Sequence, residues 1–175
     1  MRDSEIAKYV EAYQHSHYRM GDQRREAVFE VLRNTQRGTL IDVGAGRGET
    51  LEMAYALGFE IVAGTEVVPY LLNERVIYGE AWDLPFDSNA ADVVTCFDVL
   101  EHLLHEDQYI ALCELKRVAR REVIVTAAEA SHYQDGVEYH VGRRPYSDWE
   151  RMIAQLGEFE RLGSFGTSMG WRLSL

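Results

Sequence analysis

The segment 39–51, TLIDVGAGRGETL, limits what this chain can become more than any other. A short apolar, β-prone run, TLIDV (39–43), ends in Gly44, Ala45, Gly46 and Gly48. It opens directly into ETLEMAYALG, a helical stretch that stops at Gly58. Glycine at a strand-to-helix turn passes through conformations closed to other residues and lets a ligand lie against the main chain. Amides at the helix start are then available to a polar group. The spacing is G-x-G-x-G, not the G-x-G-x-x-G suited to a dinucleotide pyrophosphate.

The rest of the chain repeats the alternation. Residues 4–14 and 22–33 read as helices, the second with Ala27, Val28, Val31 and Leu32 on one face. FEIVAGTE (59–66) reads as a strand, VPYLLNE (68–74) as a short helix and RVIYGEA (75–81) as a strand edge. A loop, LPFDSNAA (84–91), leads to ADVVTCFDV (91–99), the most strand-like run. EDQYIALCELKRVA (106–119) carries a helical stripe of Ile110, Leu112, Cys113 and Leu115, and EVIVTAA (122–128) is another buried strand. YSDWERMIAQLG (146–157) reads as a helix with Ser147 as N-cap and Gly157 as its stop. Strands separated by helices of about ten residues form a parallel sheet covered on both faces. Two β-like pieces at the end, 159–165 and 169–175, have no helix between them and should pair as an antiparallel hairpin. The expectation is an α/β fold: a doubly wound, mostly parallel seven-stranded sheet with an antiparallel C-terminal hairpin. Its ligand would sit outside the carboxyl ends of the strands. A chain of 175 residues is one domain, 1–175, read as a helical cap over 1–36 and a core over 37–175.

Composition excludes several classes. With 46% apolar and 27% charged residues the chain is globular in type. No run approaches the roughly 20 apolar residues of a membrane span. The first residues, MRDSEIAKYV, lack the apolar stretch of a signal peptide. Cys96 and Cys113 both sit in apolar segments, as reduced, buried thiols would, so a cytoplasmic protein is expected. A net charge of −11 has the wrong sign for tracking a polyphosphate backbone. The one basic cluster, Lys116, Arg117, Arg120 and Arg121, closes a helix, where cations favour the dipole. No nucleic-acid or membrane partner is therefore expected.

Acids mark the ends of the predicted strands. Glu66 ends the second, where a carboxylate can accept hydrogen bonds from two ribose hydroxyls. Glu80 ends the third with Trp82 and Asp83 close by, and Phe97, Asp98, Glu101 and His102 sit at the mouth of the fourth. The ordered set IDVGAGRGET, GTEVV, GEAWDLPFD and ADVVTCFDVLEHLLH resembles the Rossmann-fold (class I) S-adenosylmethionine-dependent methyltransferases, its small-molecule branch above all. The resemblance covers about residues 39–128. It implies that S-adenosylmethionine is the cofactor and S-adenosylhomocysteine the product. Asp42 and the backbone of Gly44, Ala45, Gly46 and Gly48 would hold the methionine part, and Glu66 the ribose. Glu80 would meet the adenine amine, beside the Ala81 amide and the Trp82 side chain, and Phe97 and Asp98 would flank the sulfonium. The family more often has Asp where this chain has Glu80. The chemistry agrees: a sulfonium and an ammonium suit a pocket edged by acids, and Val67 and Trp82 can sandwich a neutral adenine.

Two nucleic-acid branches do not fit. No two prolines are adjacent before an aromatic after the fourth strand, and neither cysteine follows a proline. A small-molecule methyl acceptor is expected instead. Tyr18, Arg19 and Met20 would close over the cofactor, with Arg19 reaching a carboxylate. His132, Tyr133, His140 and Arg143, after the fifth strand, fall where substrate loops belong. Methyl transfer is an in-line displacement, and where a proton must leave, His140 or His102 is the expected base. His15/His17 and His102/His105 share no cage at ligand spacing, so no metal is expected. The alternatives are a non-catalytic S-adenosylmethionine-binding regulatory or scaffolding module, or a nicotinamide-dependent reductase. Glycine spacing and the lack of a second catalytic half disfavour the latter.

Overall fold

The computed structural model describes residues 2–15, 19–134 and 136–175. Helices α1 (Arg2–His15) and α2 (Asp22–Arg33) precede β1 (Thr39–Val43), α3 (Glu49–Ala56), β2 (Glu60–Glu66) and β3 (Val76–Tyr78). Then come β4 (Ala91–Phe97), α4 (His105–Val118), β5 (Ala119–Ala128), a two-residue pair β6 (Tyr133–Gln134) and β7 (Val137–Glu138), α5 (Tyr146–Ala154), β8 (Phe159–Phe165) and β9 (Ser168–Ser174). Seven strands form one sheet in the order β3-β2-β1-β4-β5-β9-β8. The first five run parallel, β9 pairs antiparallel with β5, and β8 pairs antiparallel with β9. The doubly wound sheet and its terminal hairpin are as expected.

The pleat sorts side chains into two cores. Leu40, Val93 and Ile124 point to one face and pack with Val28, Val31 and Leu32 of α2 and Leu51 and Ala54 of α3. Their chain neighbours Ile41, Val94, Val123 and Val125 point to the other face, against Leu112 and Leu115 of α4 and Trp149 and Ile153 of α5. Burial on both faces explains why the inner strands are almost continuously apolar. The switch between β1 and β4, whose helices lie on opposite faces, opens the crevice at the strand ends.

Several local expectations are corrected. Ser147 does not cap α5: the helix begins at Tyr146 behind an extended Pro145, whose carbonyl takes the Asp148 amide at 2.9 Å. The segment 68–74 yields only one 3-10 turn, Pro69–Leu71, and β3 is three residues long. β5 starts at Ala119, so Arg120 and Arg121 belong to a strand and not to a helix end. The basic cluster is absorbed internally. Lys116 donates to the Leu156 carbonyl, Arg117 pairs with Glu114, Arg120 with Asp92, and Arg121 donates to the Gln36 carbonyl. Of the expected cap over 1–36, only α1 lies over the strand ends, whereas α2 belongs to a helical layer of the sheet. No helix among the described residues is long and apolar enough to cross a membrane.

The long β5–α5 connection is held by one buried amide. Gln108 Nε2 donates to the carbonyls of Leu100 (3.1 Å), Leu103 (3.4 Å) and Gly142, and its Oε1 accepts from Arg144 Nε. Gly142 fits there because a Cβ would lie 1.9 Å from the Leu103 oxygen. Truncating Gln108 takes a donor from the buried Leu103 and Gly142 carbonyls, each loss costing about 1–3 kcal/mol. Gln108→Ala is therefore expected to lower stability by about 2–4 kcal/mol in urea unfolding; an unchanged midpoint would show that the loop is held by other contacts.

Candidate active site

The turn after β1 is pinned to its neighbour strand. Gly44 and Ala45 both donate to the Thr65 carbonyl at 2.9 Å, with Gly44 at φ 74° and Gly46 at φ 53°. A Cβ at Gly44 would meet Val99 Cγ2 at 2.2 Å, so any side chain collides there. Glu66, at the end of β2, accepts the amides of Gly46 (2.9 Å), Val67 (2.7 Å) and Val68 (3.2 Å). Burial raises its pKa while those amides pull it down. The first amides of the turn are thus spent inside the protein. What the turn offers a ligand is close approach to the main chain, a correction to the expectation of open amides.

Asp42 lies beneath this turn, wholly buried, with the Thr95 hydroxyl donating to Oδ1 at 2.6 Å. Burial pushes its pKa to about 7, against hydrogen bonds from Thr95 and Thr50. Across the crevice, Asp98 takes a left-handed φ of 55°, uncommon outside glycine. Thr126 holds it there, accepting the Asp98 amide at 2.9 Å and donating its hydroxyl to Oδ1 at 2.7 Å. Arg24 of α2 forms an ion pair with Asp98 Oδ2 at 2.5 Å.

These groups line a cavity of about 190 Å³ at the strand ends. Of the residues singled out by sequence, Asp42, Gly44, Ala45, Gly46, Glu66, Val67, Ala81, Trp82, Phe97, Asp98, Arg19 and His102 contribute to its wall. Gly48 and Glu80 do not. Gly48 serves the turn as the left-handed residue before α3 (φ 82°). Glu80 follows the short β3 into a turn closed by Asp83, and its carboxylate accepts the Tyr78 hydroxyl at 2.6 Å. His132, Tyr133, His140 and Arg143 also lie off the wall, and Tyr18 falls outside the described residues. The roof, Ile6, Tyr9 and Tyr13 of α1, and the side chain of Arg24 join the wall unpredicted by the sequence. Neither carries a local motif.

The histidines form a cluster of their own. His102 and His140 meet edge-to-face at 4.8 Å between ring centroids, and His132 lies 5.2 Å from His140. His102 Nδ1 is 2.9 Å from the Tyr139 carbonyl and 2.9 Å from the Tyr9 hydroxyl. Burial, helped by the neighbouring His140, lowers the His102 pKa to about 3, which makes it a weak base. His140 stands behind it. The expected general-base role is therefore not supported for either ring. Sequence spacing offers no ligand cage around His102, yet the fold brings Glu101, His102 and His140 together.

Residues 41–127 match the family described as a methyltransferase domain. No curated protein sequence matches the chain. Among solved structures the chain is similar to 1,6-didemethyltoxoflavin-N1-methyltransferase from Burkholderia thailandensis, determined with 1,6-didemethyltoxoflavin and S-adenosylhomocysteine bound. The TM-score is 0.73 at 13% identity, covering 99% of this chain and 89% of that one. It is similar to magnesium protoporphyrin IX methyltransferase from Synechocystis PCC 6803, with S-adenosylmethionine bound (TM-score 0.70, 16% identity, 97% and 96% covered). The PH0226 protein of Pyrococcus horikoshii OT3 shares the fold as well (TM-score 0.70, 17% identity, 93% and 96% covered). The domain match runs from β1 through β5, the span that builds most of the cavity wall, and the chain belongs to the class I, Rossmann-fold S-adenosylmethionine-dependent methyltransferases.

Proposed function

We propose that this methyltransferase acts on a small-molecule acceptor held with S-adenosylmethionine in the cavity at the strand ends. The observation that carries the reading is the roof. Ile6, Tyr9 and Tyr13 of α1 close the chamber from above. The helix is tied down by Tyr9 against His102 and Tyr139 and by the Tyr70 hydroxyl on the Val10 carbonyl at 2.5 Å. A chamber covered in this way favours a small acceptor over a folded macromolecule.

The donor set fits the cofactor. Asp42 and Glu66 are carboxylates over a glycine turn, and a molecule with an ammonium, a sulfonium and two ribose hydroxyls offers each a partner. Glu66 Oε2 accepts one amide and keeps a lone pair for a hydroxyl. Val67, Ala81 and Trp82 would take the adenine, and Phe97 and Asp98 the methionine end. The bound cofactor supplies a methyl group already activated on sulfur. The chain's part is then to position the acceptor in line and to exclude water beneath α1.

Three outcomes test this. With methyl-labelled cofactor, label is expected in the low-mass fraction of a cell extract; label confined to RNA or protein would overturn the small-molecule reading. Glu66→Ala should weaken S-adenosylhomocysteine by about 1–3 kcal/mol, measured by calorimetry, because two hydroxyls lose their acceptor. The third concerns Asp42. Its pKa is raised above that of the unfolded chain, so its contribution to stability is full in acid and is lost as pH climbs through about 7. A cationic ligand reverses the preference, favouring the ionised form. Affinity for S-adenosylmethionine should therefore rise between pH 6 and 8, with proton release on binding, and Asp42→Asn should flatten that profile. A flat profile in the unaltered chain would place Asp42 away from the cofactor's charge.

A further inference from the structure

We propose that Glu101, His102 and His140 form a site for one divalent transition-metal ion beside the methyl-transfer cavity. Their candidate ligand atoms, one carboxylate oxygen and one nitrogen from each ring, lie within 4.8 Å of one another. Each side chain is anchored at one atom and open at another. Glu101 is wholly buried; its Oε1 accepts the Ala128 amide at 3.0 Å, whereas Oε2 is buried without a hydrogen-bond partner. An unpaired carboxylate oxygen in the interior is costly, and a cation removes that cost.

Both rings are held as ligating rings are. His102 Nδ1 faces the Tyr139 carbonyl at 2.9 Å, and His140 Nδ1 faces the Ala130 carbonyl at 2.6 Å. A ring nitrogen that faces a carbonyl carries the proton, so Nε2 is the nitrogen with a lone pair to give in each ring. Donation of one N–H to a carbonyl is the arrangement that orients metal-bound histidines.

The loop that brings His140 to the other two is built, not loose. Glu138 Oε1 accepts the His132 and His140 amides at 3.0 Å each, the Gly142 amide donates to the Glu101 carbonyl at 2.9 Å, and Gln108 ties Gly142 to Leu100 and Leu103. Two imidazoles and a carboxylate suit Zn²⁺, Co²⁺ or Fe²⁺, whereas Mg²⁺ and Ca²⁺ prefer shells of oxygen. Three protein ligands leave a position open for water or substrate. Because His102 also belongs to the cavity wall, that position lies close to the methyl acceptor. An acceptor hydroxyl bound there would release its proton to solvent more readily. That role rests on the methyl-transfer reading; the site itself does not.

The test uses the full chain stripped of metal by chelator dialysis and titrated with Co²⁺, whose visible bands report nitrogen ligation, then with Zn²⁺ in competition. One Co²⁺ per chain is expected, displaced by Zn²⁺. His140→Ala, at a half-buried position, should lower affinity at least tenfold, and His102→Ala likewise. His105→Ala, on α4, should leave uptake unchanged. No uptake by the unaltered chain, or uptake that survives both His102→Ala and His140→Ala, would overturn the proposal. Circular dichroism shows whether each variant is folded, and Glu101→Gln, which keeps the shape of the buried group, serves if an alanine variant is not. The methyl-labelling assay beside the metal titration separates the two readings: metal uptake with no methylated small molecule sinks the function, and methylation with no metal uptake sinks the site.

Discussion

The clasp of Glu66 on the Gly46 amide fixes the main chain on which the cavity is built. The carboxylate reaches from the end of β2 to the turn that follows β1, while the Thr65 carbonyl takes the two preceding amides from the same turn. Two adjacent strands are thereby locked where the chain must change direction, and the left-handed glycines have no freedom to drift. A buried carboxylate is expensive unless its lone pairs are used. Here three backbone donors offset much of that cost, and one oxygen still has capacity to spare.

Much of this was legible in the chain, and for a physical reason. β1, α2 and β8 fall on their predicted residues because strand and helix periods are local and the glycines punctuate them. Asp42, Glu66 and Asp98 lie on the cavity wall because strand ends converge in a parallel sheet, so an acid at such an end faces the crevice. Glu80 misses the wall for a related reason: the sequence predicts a seven-residue strand, but β3 stops at Tyr78 and the turn carries its side chain to the edge. Ser147 looked like a cap because hydroxyls before apolar periodicity often are, yet Pro145 had already set the entry angle. Arg24, Tyr9 and Tyr13 had no sequence signal at all. Each reaches the cavity through the packing of a whole helix, which no short window encodes.

Electrostatics divides the crevice into two regions. On the β1 side, Asp42 and Glu66 have burial and neutral donors around them, so their charge is held in check by the interior. On the β4 side Asp98 is paired with Arg24, and burial raises the pKa of Glu101, behind it, with Asp98 adding to the effect. The histidine pair sits at the seam between that crevice and the β5–α5 loop, so the loop and the chamber share a wall.

The roof differs in kind from the floor. Ala12 is the one fully buried side chain among those described in α1, whereas the strands below are buried on both faces. The helix is fastened by tyrosine hydroxyls and ring edges, bonds that water can replace at little net expense. Neither core includes a described residue of α1, so the seat of this helix is set apart from the integrity of the sheet. How firmly the roof is seated then depends on a few phenol groups more than on the packing of the two cores.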